Sequence, residues 1–155
     1  MAALTGHPAH PAFVAVPLGA WVASLAFDVA SRVVAEPEFL VQGSRWLIAI
    51  GVLGALVAAV PGFVDLLGIP VGSPALRTAL VHMSLNLTAT AGYAVGFVLR
   101  GDEPTGAGGS VGTVPLILSI GCLLVVSAGG YLGGELVFKY GVRVRSTPTP
   151  PQSKE

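Results

Sequence analysis

Charge is scarce in this chain, and cysteine scarcer. Lys, Arg, Asp and Glu make up 10% of its 155 residues, with eight basic and eight acidic side chains, so the formal net charge is zero. An average soluble domain carries about 25%. Such a balance leaves no basic surface for nucleic acid and implies no acidic partner. The single cysteine, Cys122, excludes an internal disulfide and a thiolate zinc cluster, and its expected role is small-residue packing. No HExxH, nucleophile elbow or phosphate-binding glycine loop occurs, so a hydrolase finds little support. The chain is not expected to be an independent enzyme. Residues 1–10 hold no Lys or Arg, unlike a cleaved signal peptide, and the first apolar run is expected to be retained.

Apolar residues are abundant, at 53%, and segregated. Four runs, 11–34, 46–67, 75–99 and 111–138, each reach the roughly 20 residues that cross a bilayer core, where backbone polar groups must be satisfied within the segment. They predict an all-α integral membrane protein, a four-transmembrane-helix antiparallel bundle with short loops. Residues 1–10 are read as an interfacial segment, 11–144 as the transmembrane domain and 145–155 as a disordered polar tail. Residues 35–45 are expected to be a loop, and 101–110 a flexible hydrated link. Arg77, Lys139, Arg143, Arg145 and Lys154 fall on the side of the termini, against Arg32, Arg45 and Arg100. That excess predicts cytoplasmic termini in an inner (plasma) membrane.

The halves share a pattern. His10 and His82 are offset by 72, and Asp65 and Glu135 by 70. Each half thus reads as a helical hairpin, histidine early and carboxylate late. A pseudo-two-fold axis along the membrane normal would relate the two. Gly129, Gly130, Gly133 and Gly134 form two small-residue registers suited to close helix approach, within the bundle or against a second copy or another membrane subunit.

Ionisable groups at membrane depth are functional candidates, because insertion costs roughly 2.5–3.5 kcal/mol each. His82, Asn86, Thr90 and Tyr93 share one helical face by spacing. His7 and His10, each before a proline, are expected on an extended entry segment. With Asp65, Glu135 and Lys139 they gather at the termini side; at the other end only Asp28 is expected to intrude, paired with Arg32. Two chemistries fit. His10 and His82, with His7 in reserve, suit the axial positions of b-type haem, lined by Phe13, Trp21, Phe63 and Tyr93, with Arg77 and Arg143 near the propionates. Asn86 and Tyr93 would then orient His82. Alternatively, His10, His82, Asp65 and Glu135 match the ligand set of a divalent metal ion.

His-Pro before helix 1, Pro17-Leu-Gly19, Asp28, Gly62-Phe-Val-Asp65, His82 with Asn86, and Gly129-Gly-Tyr-Leu-Gly-Gly-Glu135 running into Leu-Val-Phe-Lys-Tyr-Gly141-Val occur in that order. Over residues 7–144 the chain resembles the bacterial four-helix membrane family catalogued as domain of unknown function 2231. The resemblance implies the fold and, since members are sometimes joined to or encoded beside Rieske or cytochrome-type modules, an electron-transfer setting. Three functions stand open: a membrane redox protein relaying electrons through haem b, a non-catalytic accessory subunit of a larger membrane complex, and a divalent-metal-binding membrane protein.

Overall fold

The computed structural model describes residues 9–101 and 106–142; His7, Arg143 and the tail lie outside them. Four long helices account for most of the described chain: α1 Ala9–Ala30, α2 Glu38–Leu67, α3 Pro74–Arg100 and α4 Thr113–Phe138. Among the described residues there is no strand. Three helices are long and apolar enough to cross a membrane: α1 over Ala12–Ala30, α2 and α4. At 27 residues α3 has the length, about 40 Å. Thr78, His82, Ser84, Asn86, Thr88 and Thr90 make it the most polar of the four.

Local chemistry explains the helix ends. Ser73 caps α3, its hydroxyl accepting from Leu76 N at 3.1 Å, and Pro74 follows at the position whose N–H has no helical use. Past α4, Gly141 takes φ 63° and its N–H reaches back to the Val137 carbonyl at 3.1 Å, an αL stop.

Two ends differ from expectation. Residues 38–45 are the first two turns of α2, not a loop, and only 31–37 turn the chain. Glu38 in that first turn favours helix by facing the positive end of the helix dipole. His10 lies inside α1, not on an extended segment. Near a helix start the N–H that the next proline lacks is not needed, so proline's bias against helix is weakest there. The link between α3 and α4 likewise holds a 3₁₀ turn, Ala107–Gly109.

Helix α1 packs chiefly on α2 and α3 on α4. Where glycines of α2 touch α1, the contacts run in reverse order: Gly43 at Phe27, Gly51 at Trp21, Gly54 at Pro17, Gly62 at His10. Helices α3 and α4 show the same ladder, with His82 at Gly133, Asn86 at Gly129 and Cys122 at Gly92. The buried centre is small: Trp21, Ile48, Tyr93 and Cys122. Around it, large apolar side chains such as Leu53, Val60, Phe63, Ile117 and Leu124 point outward. A helix that is apolar all round and still exposed suits lipid, not water.

Candidate functional site

Side chains of α1 and α3 reach across the molecule and meet along a seam with three rungs, and every rung joins residues 72 apart: 10 with 82, 21 with 93, 28 with 100. At one end the rings of His10 and His82 meet as a T-shaped, edge-type pair, centroids 6.3 Å apart and planes at 80°. Three turns further in, Trp21 stacks on Tyr93 at 4.3 Å and 11°. At the far end Arg100 Nη2 donates to Asp28 Oδ2 at 2.5 Å, and both side chains are buried. From residue 10 to residue 28 the seam runs about 27 Å, close to the thickness of a bilayer core.

The imidazoles are held alike. His10 Nδ1 lies 2.8 Å from the Ala58 carbonyl, and His82 Nδ1 2.7 Å from the Gly129 carbonyl. A carbonyl oxygen only accepts, so each Nδ1 carries a hydrogen, and the neutral ring keeps its lone pair at Nε2. One turn beyond each carbonyl a glycine backs the ring. A Cβ at Gly62 would lie 2.9 Å from His10 Nδ1, and one at Gly133 3.0 Å from His82 Cε1. The accepting carbonyls (58 and 129) and the glycines (62 and 133) are both 71 apart.

That register corrects the pairing of Asp65 with Glu135. An offset of 70 differs from 71 by one residue, about 100° around a helix, so the two acids are not equivalent. Glu135 instead accepts from Lys139 Nζ at 3.4 Å on the surface. This hydrogen bond raises the pKa of the exposed ammonium above its ordinary value. Asp65 is half-buried near the end of α2. Among the described residues no group of three or more His, Cys, Asp or Glu side chains could hold a metal ion, so His10, His82, Asp65 and Glu135 do not gather as one ligand set.

Asn86 stays with the pair: its Nδ2 donates to the His82 carbonyl at 2.7 Å, and Gly129 lets it lie flat against α4. Its 3.4 Å approach to His82 Nδ1 is a contact, since Nδ1 bears its own hydrogen. Tyr93 lies about 16 Å further along α3. There it donates to the Ser119 carbonyl at 3.3 Å, away from His82. Phe13 and Phe63 point outward. The glycine registers divide: Gly129 and Gly133 face α3, while Gly130 meets nothing and Gly134 only Phe138.

Asp28 pairs with Arg100, not Arg32. It also accepts from Ser44 Oγ, and Arg100 reaches Ser119 Oγ at 2.9 Å and the Gly96 carbonyl at 3.0 Å. Arg32 turns to the Val111 carbonyl and Thr113 Oγ1, both at 3.0 Å. Sequence reasoning missed this network because it set Ser44 in a loop and counted Arg100 among the loop charges. The offset of 72 was the signal: applied beyond the histidines, it pairs Trp21 with Tyr93 and Asp28 with Arg100.

No curated protein and no solved structure matches the chain significantly. A family model described as a predicted membrane protein (DUF2231) matches residues 6–146, and the chain belongs to that family.

Proposed function

We propose that the chain is a membrane redox protein in which His10 and His82 are the axial ligands of one b-type haem that relays electrons. One observation carries this: two imidazoles from separate helices, each with Nδ1 in hydrogen-bond reach of a backbone carbonyl, a contact that in a neutral ring leaves the lone pair at Nε2. Metal-bound histidines are ordinarily oriented this way. Two nitrogens on one ion at about 2 Å each lie about 4 Å apart, and ring centres sit roughly 1 Å further out on either side. The 6.3 Å between centroids is of that size. A bare divalent ion would want three or four protein ligands, and the described residues gather no such set. A haem iron takes its equatorial nitrogens from the porphyrin and needs only the two. Bound, the haem would supply one-electron transfer, and Asn86 would hold the His82 turn in place.

The same reading takes the fold as an antiparallel four-helix bundle in the inner membrane, made of two hairpins related by a pseudo-two-fold axis. The reversed contact ladders and the recurring offsets support it. With Arg100 buried against Asp28, the side opposite the termini loses a loop charge, which favours cytoplasmic termini. The test is an absorption spectrum of full-length protein purified from haem-replete membranes. A Soret band with about one haem per chain is expected, lost in His10→Ala and in His82→Ala. Wild-type protein without a Soret band would refute the proposal.

An accessory role has one observation in its favour, the open face at Gly130 and Gly134 on the outside of α4. It predicts a stable larger assembly on native isolation that Gly130→Leu breaks, with His82→Ala tolerated.

A further inference from the structure

The two halves share a contact pattern but not their charge at the termini side. Every Lys and Arg that falls there, Arg77, Lys139, Arg143, Arg145 and Lys154, belongs to the second half, while the first half brings Asp65 as its one charged side chain. Arg77 is exposed in the first turn of α3, and Lys139 is the first residue past α4. The ladder of His82 at Gly133 and Asn86 at Gly129, continued toward the termini, sets residue 77 level with residue 138. Both cations therefore end the same hairpin at about one depth.

Beside Lys139 a groove of about 420 Å³ opens on the outer face of α4, lined by Tyr131, Gly134, Glu135, Phe138 and Lys139. Positions 131, 134, 135 and 138 share one helical face by spacing. Tyr131 and Phe138 are 71% and 91% exposed, and a Cβ at Gly134 would meet Phe138 alone, at 4.0 Å. Among the described residues nothing fills the notch between the two rings. The groove is aromatic at depth and charged at its mouth. A second groove, about 310 Å³ on α3, is lined by Ala94, Val95, Val98 and Leu99 and carries no charge.

We propose that the α4 groove seats one anionic phospholipid, an acyl chain lying on Gly134 between the rings and the phosphate at Lys139. The inference stands apart from the haem reading. Charge complementarity selects the occupant, because basic side chains clustered where a helix leaves the membrane attract anionic lipid, whereas a zwitterionic headgroup brings its own cation. Glu135 opposes an anion in the groove wall. Lys139 Nζ approaches it at 3.4 Å, however, and an ammonium has three hydrogens to give, so a phosphate can share the cation. The α3 groove takes any chain; the α4 groove also reads the headgroup.

The test is native mass spectrometry of full-length protein from micelles holding equal amounts of phosphatidylglycerol and phosphatidylcholine with the same chains. The wild type is expected to keep one phosphatidylglycerol per chain, several times more often than phosphatidylcholine. Lys139→Gln should lower that ratio about fivefold, the share of one basic side chain at an anionic surface. Gly134→Leu should empty the groove of both lipids, and Gly121→Leu, on an open stretch of the same helix, should change nothing. Equal retention of the two lipids by the wild type, or a ratio that neither groove variant moves, overturns the inference. So does a second copy or another membrane protein held at this face, without lipid, and lost in Gly134→Leu.

Discussion

The pairing of positions 28 and 100 across the two halves makes an exchange experiment possible. Asp28 and Arg100 are 0% and 4% exposed, so each charge depends on the other for compensation. Removing one partner of a buried pair leaves an uncompensated charge and costs about 3–5 kcal/mol. That is a fall of roughly a hundred- to several-thousandfold in the folded-to-unfolded ratio. Asp28→Arg sets two guanidiniums together, and Arg100→Asp two carboxylates, so either single variant should lose at least that much. The double exchange, Asp28→Arg with Arg100→Asp, restores opposite charges at the same two places. Its neighbours tolerate the swap, because the hydroxyls of Ser44 and Ser119 can donate or accept. More than half the loss should return. The remainder reflects contacts specific to one side, such as Arg100 to the Gly96 carbonyl. Unfolding in mixed micelles of rising dodecyl sulfate content, followed by circular dichroism, measures all four proteins. An exchange variant no more stable than the worse single variant would refute the equivalence of positions 28 and 100. Single variants costing under about 1 kcal/mol would show that the pair is not dehydrated as drawn.

Other predictions concern packing and the acids. Gly51→Ala would drive a methyl into the Trp21 indole and should cost about 1–3 kcal/mol by overpacking, whereas Gly121→Ala, in open space, should leave the same unfolding curve unmoved. A double-mutant cycle of Trp21→Leu and Tyr93→Leu should return a coupling of about 0.5–1.5 kcal/mol from the stacked rings, and additive losses would deny the contact. Glu135→Gln removes the charge that Lys139 pairs with on the surface and should leave the unfolding midpoint, and any haem that the proposed function predicts, as in the wild type. A loss of haem or metal in that variant would return Glu135 to the ligand set.

Composition and run length alone determined that the chain is helical and lives in a membrane, since a bilayer leaves few ways to satisfy a long apolar backbone. The motifs determined the family. His10, His82 and Asn86 were legible as a group because polar side chains stand out on apolar helices and a helix fixes their spacing. What spacing could not supply is register between helices. A shift of one residue turns a side chain by about 100°, enough to pair Asp65 with Glu135 wrongly, and a shared helical face joined Tyr93 to His82 although about 16 Å of helix separates them and Tyr93 belongs with Trp21. Pro11 after His10 and the charged start of α2 misled locally, because helix-end rules outweigh average propensities there. Only the tertiary structure decided that Asp28 meets Arg100, since a buried charge selects its partner by proximity across the fold, and residues 72 apart come together only once both helix pairs have packed.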